Sequence, residues 1–194
     1  LIEFSHRSVS GVLLVVTLII FAKTRKFQKD SLVRIVTNYL TFFVIFEALI
    51  GAVIVIFEWV GLNSSLPRII AVPIHLVNTF GLLGSYAILY KILQDDLQNI
   101  KNMFNKNFLL ISSLFLLSGA TGSITALADV LFPSASFVEG FLADFDRTSE
   151  VLTRLRILHP IISSTLSIVL YVYATGIRKK YNVSVKPLQI LILI

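Results

Sequence analysis

The 194-residue sequence contains no cysteine, and only 14% of its residues are charged. Without cysteine, these residues can form no disulfide, no thiolate metal site and no cysteine nucleophile. So low a charged fraction, beside 56% hydrophobic residues and a mean hydropathy of +0.85, is far from the soluble average. The chain is therefore predicted to be an integral membrane protein.

Acidic residues are also scarce, with 11 Asp and Glu against 17 Lys and Arg. The basic residues lie in short loops between apolar runs, which is how a topology signal is distributed, and they form no phosphate-binding patch. The expected partner is thus the lipid bilayer and not nucleic acid. Twelve of the 17 basic residues fall on one side of the predicted membrane, which is expected to be the cytoplasmic side.

Long apolar runs dominate the rest of the sequence, and crossing hydrocarbon of about 30 Å needs about 20 such residues. Five runs suffice, at approximately 3–22, 38–60, 70–93, 107–132 and 157–177, and a sixth begins at Pro187. The runs are continuous, whereas barrel strands alternate, so we expect an all-α, polytopic transmembrane helical bundle. The chain starts without methionine and stops within the sixth run, so it is expected to be an internal piece of a longer protein.

The segment between the fourth and fifth runs differs from the other loops. Phe137, Phe141 and Phe145 recur at four-residue spacing among charged residues, which predicts one or two interfacial helices on the outer face. Pro160 is expected either to kink the chain as it enters the membrane or to open a helix there.

Histidine is rare, and its placement is regular. His6, His75 and His159 lie near the starts of the first, third and fifth runs, which predicts parallel helices with all three imidazoles at similar depth. Each is followed four residues later by a small hydroxyl residue. The even runs match loosely, as Glu47-x-x-x-Gly51 against Ser118-x-x-x-Gly122. These echoes predict a duplicated two-helix unit with one histidine per unit.

Two imidazoles at one depth on parallel helices can bind a haem from both faces. Each histidine has an arginine nearby on the water side, suited to anionic propionates: Arg7, Arg68 and Arg156. The alternative is that each histidine is an interfacial residue at a helix start. Zinc is less favoured, because nothing nearby completes a tetrahedral ligand set.

The pairing is uneven. His6 and His75 are predicted to share one haem, whereas the partner of His159 is expected beyond residue 194. Only the first site has a carboxylate, Glu3, three residues before its histidine. At the same position before His159 the second site has Arg156. Glu3 is a candidate to accept a proton or stabilise a cation, or alternatively to form a salt bridge with Arg7 at i, i+4.

One more acid, Glu47, falls in the middle of the second run. It is either part of a proton relay or a structural buried acid that is hydrogen-bonded to another helix.

Three stretches resemble the haem A synthase family: Glu3-Phe-Ser-His6-Arg7, the block Gly119–Pro133, and Leu155-Arg-Ile-Leu-His159-Pro160. His75 fits the family's second histidine position. The resemblance implies eight spans in two pseudo-symmetric four-helix halves, of which this chain covers about spans 2 to 7. Residues 1–106 would then be the N-terminal half with the catalytic haem site, and 107–194 the C-terminal half with a second haem site.

The resemblance also implies the activity: oxidation of a methyl group of haem O to a formyl group by successive hydroxylations, which gives haem A for haem-copper oxidases. It implies that His6 and His75 hold haem O as substrate, that Glu3 is catalytic, and that His159 with a later histidine holds haem b. The implied location is the cell membrane, or the mitochondrial inner membrane in a eukaryote. The implied partners are a haem O synthase, an unidentified electron acceptor and a second copy of the chain.

Two other classes of protein fit part of the sequence. A di-haem b-type cytochrome that passes electrons to or from quinone needs the paired histidines but not Glu3. A transporter switched by histidine protonation needs no haem at all.

Overall fold

A computed structural model describes residues 2–94 and 105–181 of the chain, and the side chains of 4–94 and 105–179. The helices are α1 (Ile2–Thr24), α2 (Leu32–Ile56), α3 (Leu66–Leu93), α4 (Lys106–Leu131), α5 (Phe137–Phe145), α6 (Val151–Leu155) and α7 (Leu158–Tyr181). These described ranges contain no strand, so the all-α prediction is confirmed. The predicted sixth run, from Pro187, lies outside the described residues.

Five helical segments are long and apolar enough to cross a membrane: Phe4–Thr24, Leu32–Ile56, Leu66–Leu93, Lys106–Leu131 and Val151–Lys179. Each overlaps one of the five predicted runs. The chain is therefore a multi-pass membrane protein, as the sequence predicts.

Helix starts follow capping residues and not the edges of the apolar runs. The helix α2 begins at Leu32, six residues before the predicted run, because the Ser31 hydroxyl accepts a hydrogen bond from the Arg34 N–H at 3.4 Å. The helix α3 begins at Leu66, with Pro67 in its first turn, where the missing N–H costs no hydrogen bond. Apolarity marks the part of a helix that faces lipid, and caps extend the helix beyond it.

The prediction of one or two short helices between the fourth and fifth spans is confirmed by α5 and α6. A capping box starts α5: the Ser136 hydroxyl accepts from the Glu139 N–H at 3.2 Å, and the Glu139 carboxylate accepts from the Ala135 N–H at 2.9 Å. The ring of Phe141 lies 6.4 Å from that of Phe137 and 5.1 Å from that of Phe145, centroid to centroid. These exposed rings form an apolar ridge on one side of α5, as expected of an interfacial helix.

The segments that flank α6 are also ordered locally. Before it, the Asp146 carboxylate accepts hydrogen bonds from the backbone N–H and the hydroxyl of Thr148 at 2.8 Å each, and these bonds lower the pKa of Asp146. After it, Pro160 is the third residue of α7. Of the two expectations for this proline, the opening of a helix is therefore the one observed.

The chain forms two compact units, Leu1–Ile100 and Lys101–Ile194. In the first unit α2 packs against both α1 and α3, so α1 and α3 run in the same direction. Gly81 permits close approach of α2 and α3, since a Cβ there would lie 2.7 Å from Cε1 of Phe43. The buried core of this unit comprises Val36, Leu40, Val44, Leu82 and Leu89.

In the second unit α4 packs against α7 and α6, and α5 packs against α6. Its most buried apolar side chains are Leu127, Ala128, Leu152, Leu166 and Ala174. The assignment of a catalytic site to residues 1–106 and a second haem site to 107–194 stays a prediction.

Candidate functional site

A hydrogen bond between Thr17 and Tyr86 joins α1 to α3 in the first unit. The Thr17 side chain is fully buried, and its hydroxyl also donates to the Leu13 carbonyl at 2.7 Å. The contact defines which face of α1 is turned towards α3, and which face of α3 is turned towards α1.

The same contact relates the two predicted haem ligands of this unit. His6 lies 11 residues before Thr17, and His75 lies 11 residues before Tyr86. Eleven residues make about three helical turns, with a residual rotation of about 20°. Since α1 and α3 run in the same direction, helical geometry gives the His6 and His75 backbones similar heights along the two helices. The His6 side chain is exposed, and that of His75 is 25% exposed.

The His75 imidazole lies against α2. Its Nδ1 is 3.4 Å from Oε2 of Glu47, and a Cβ on Gly51 would lie 3.8 Å from its Cε1. Nδ1 is buried, and within the described part of the chain it has no partner in full hydrogen-bonding geometry. With Nδ1 turned towards the carboxylate, Nε2 is the nitrogen that His75 offers to a ligand on the other side of the ring.

The His159 imidazole lies against α4 in the same manner. Its Nδ1 is 3.0 Å from the Ser118 carbonyl oxygen and 3.3 Å from the Ser163 hydroxyl. Gly122 faces the ring, and a Cβ there would lie only 2.9 Å from Cε1. The second unit therefore also holds a histidine ring against the neighbouring helix, with Nε2 3.5 Å from where a Cβ of Gly122 would lie.

The arginines near the histidines differ in their partners. Arg68 donates from Nη1 to the carbonyls of Gly61 at 2.7 Å and Asn63 at 2.6 Å, so it holds the connection between α2 and α3. Arg7 is exposed on α1, in the turn that follows His6.

Arg156 is buried, with 8% of its surface exposed. Its Nε and Nη2 both lie 2.8 Å from Oδ1 of Asp144, and Nη1 lies 2.7 Å from Oδ1 of Asp129. Nη2 also donates to the Gly140 carbonyl at 3.1 Å. These bonds tie the end of α6 to α4 and α5, so the predicted propionate role of Arg156 competes with partners inside its own unit.

The side chain of Glu3 lies outside the described residues, and neither its catalytic role nor a salt bridge to Arg7 can be read from the structure. The predicted fourth haem ligand lies beyond residue 194. The sequence alone did not connect Glu47 to His75. The signal was present in the repeat, since Glu47 and Ser118 occupy matching positions four residues before Gly51 and Gly122.

Comparison with known proteins supplies the family. The sequence pattern of the COX15-CtaA family, described as cytochrome oxidase assembly protein, matches residues 1–193. The chain belongs to the haem A synthase family. The family resemblance predicted from the Glu3–Arg7 stretch and the Gly119–Pro133 block is thereby confirmed, and so is a role in cytochrome oxidase assembly.

Two curated relatives carry a different name. Two curated proteins from two strains of Thermus thermophilus, both named protoheme IX farnesyltransferase, are each 35% identical over 182 residues. The match covers 91% of this chain but 29% of each relative, so the chain spans less than a third of their length. No solved structure matches this haem A synthase family member.

Proposed function

We propose that the chain carries the haem O-oxidising centre of a haem A synthase, which converts a methyl group of haem O to a formyl group by successive hydroxylations. The observation that carries the proposal is the Thr17–Tyr86 hydrogen bond. It supports similar heights for His6 and His75 on parallel helices, an arrangement suited to bis-histidine haem ligation. The family supplies the rest, because its members act in cytochrome oxidase assembly.

The residues of the first unit fit a haem between α1 and α3. His75 turns Nδ1 towards Glu47, which leaves Nε2 for iron, and Gly51 of α2 lies beside the imidazole. Haem bound there supplies the redox chemistry of its iron. In the proposal His6 and His75 would hold the haem iron, and Arg7 would pair with a propionate. In the second unit His159, with a histidine beyond residue 194, holds haem b.

Glu3 is the proposed catalytic carboxylate. It lies three residues before His6 in α1, so the two residues share one face of that helix. A carboxylate beside the haem edge can accept a proton from water or stabilise positive charge on the substrate. In the second unit the corresponding position is Arg156, whose guanidinium is bound to Asp129 and Asp144.

The name of the Thermus relatives agrees with the proposed substrate. Transfer of a farnesyl group to protohaem IX gives a farnesylated haem, and haem O is such a haem. Because this chain matches 29% of those proteins, their name is not evidence that the matched part transfers a farnesyl group. It supports a haem O synthase as the proposed partner that supplies the substrate.

The proposal is tested by extracting the haems of the intact purified protein and identifying them chromatographically. We expect haem O or haem A beside haem b. Glu3→Gln should keep the haem, accumulate haem O and lower haem A formation about 100-fold or more, as loss of a general base does. Glu150→Gln, which changes an exposed carboxylate at the start of α6, is the matched control and should leave haem A formation unchanged.

Recovery of haem b alone from both sites would contradict the synthase and favour the di-haem cytochrome. Unchanged haem A formation in Glu3→Gln would remove Glu3 from the mechanism. The purified protein should show a low-spin haem spectrum that is lost in His75→Ala. Absence of such a spectrum would contradict haem binding itself.

A further inference from the structure

A carboxylate in the membrane-spanning part of the first unit is aimed at the back of a candidate haem ligand. Oε2 of Glu47 lies 3.4 Å from Nδ1 of His75, and the two side chains are 17% and 25% exposed. Acidic side chains within a membrane are costly and are kept where they have partners. The partner here is an imidazole whose other nitrogen is free to bind iron.

The position of this carboxylate is fixed by the helix that bears the histidine. Asn78 donates from Nδ2 to Oε2 of Glu47 at 2.6 Å and to the Phe43 carbonyl at 2.9 Å. The Thr79 hydroxyl donates to the other oxygen, Oε1. Since residues at i, i+3 and i+4 share a helix face, His75, Asn78 and Thr79 surround one carboxylate from one face of α3.

The second unit shows the same geometry without the charge. Nδ1 of His159 faces a backbone carbonyl, that of Ser118, at 3.0 Å. The hydroxyls of Ser163 and Thr121 lie at 3.3 Å and 3.5 Å from the same nitrogen, and the Ser118 and Ser163 hydroxyls lie 2.9 Å apart. Glu47 and Ser118 occupy the same position of the repeat. At this position the first unit has an anionic acceptor, whereas the acceptors around Nδ1 in the second unit are neutral.

We propose that Glu47 is the positioning residue of His75: in the haem-loaded protein it accepts the Nδ1–H hydrogen bond, directs Nε2 to the haem iron, and gives the two haems of the protein different reduction potentials. The inference rests on the proposed haem site between α1 and α3 and extends it to a residue of α2. From the sequence, Glu47 is either part of a proton relay or a structural buried acid. Its contact with His75 instead suggests a role in holding that ligand.

The physical reason is that the group that accepts the Nδ1–H hydrogen bond changes the basicity of the histidine as an iron ligand. A histidine that donates its outer N–H to a carboxylate becomes a more basic ligand than one that donates to a carbonyl. A more basic ligand stabilises ferric over ferrous iron and lowers the reduction potential, since hydrogen bonding around the axial ligand is one of the protein's means of tuning haem. The haem of the first unit is therefore held more oxidised than it would be with a neutral acceptor.

The test is a spectroscopic redox titration of the intact, haem-loaded protein. The component that belongs to His75 is the one missing in His75→Ala. In Glu47→Gln, which keeps the shape of the side chain and removes its charge, the ferrous-to-ferric ratio of that component should rise about tenfold at a fixed ambient potential. This equals a positive shift of about 59 mV for one electron. The component that belongs to His159 should not move.

Thr165→Val is the matched control in the second unit. It removes an exposed hydroxyl of α7 that donates to the Ile161 carbonyl, so both potentials should stay unchanged. A Glu47→Gln protein whose first component does not shift, or whose two components shift equally, overturns the proposal and leaves the haem site standing. If His75→Ala loses no spectroscopic component, the proposed function is overturned instead.

A second variant decides the case in which Glu47→Gln loses haem or fails to fold. Thr79→Val removes the hydroxyl donor to Oε1 and leaves the carboxylate in place, with more of its negative charge available to His75. The first component should then shift to lower potential, opposite in sign to Glu47→Gln. An unchanged or higher potential in Thr79→Val overturns the role of Glu47.

Discussion

Gly122→Ala is expected to weaken the proposed haem binding of the second unit while leaving the helices folded. A Cβ at this position would lie 2.9 Å from Cε1 and 3.2 Å from Nδ1 of His159, so the imidazole must move away from α4. That movement breaks the 3.0 Å contact of Nδ1 with the Ser118 carbonyl and displaces Nε2. Overpacking of this kind costs about 1–3 kcal/mol, which is roughly a 5- to 150-fold loss of haem affinity.

Gly51→Ala is the matched variant in the first unit. A Cβ there would meet Cε1 of His75 at 3.8 Å, an ordinary contact, so haem at that site should be retained. The measurement is the haem content of each purified variant, by pyridine haemochrome and low-spin spectrum, beside the helix content by circular dichroism. Equal loss in both variants, or retention in both, would contradict the difference in ring position between the two units.

Asp144→Asn is expected to release α5 from the second unit. Arg156 and Asp144 are both largely buried, with side chains 9% and 13% exposed, and two guanidinium nitrogens lie 2.8 Å from one carboxylate oxygen. Removal of the buried partner leaves the guanidinium charge with the solvent-exposed Asp129 carboxylate and costs about 3 kcal/mol. Hydrogen exchange of the α5 amides should therefore be faster by about 100-fold.

Asp129→Asn provides the comparison within the same cluster. Its side chain is 58% exposed, so water screens its pair with Arg156 and the loss should stay below about 1 kcal/mol, less than about sixfold in exchange rate. Similar acceleration in the two variants would show that burial does not separate the two ion pairs.

Much of the helical architecture follows from the sequence, because hydrocarbon thickness fixes the length of an apolar run. The start of α2 does not follow, since the Ser31 cap begins the helix at Leu32, six residues before the predicted run. The two short outer helices follow from the phenylalanine spacing, which survives in the exposed ridge of α5.

The surroundings of the histidines follow from the sequence only in part. Their spacing predicts equal depth, and the structure adds which faces of α1 and α3 are opposed. The partners of Glu47 and Arg156 are set by helix packing between residues 12 to 32 positions apart, which no local pattern encodes. For Arg156 the sequence predicted a haem propionate as partner, whereas helix packing supplies the aspartates Asp129 and Asp144.

The Thr17–Tyr86 hydrogen bond is also a point about which α1 can tilt relative to α3. The candidate ligands stand 11 residues away from it, which at 1.5 Å per residue is about 16 Å along each helix. A tilt of α1 by about 10° about that point moves the His6 end by about 3 Å, a distance comparable to the thickness of an aromatic ring. In the proposed function, such a tilt would admit a rigid planar substrate between the helix ends without the breaking of a backbone hydrogen bond.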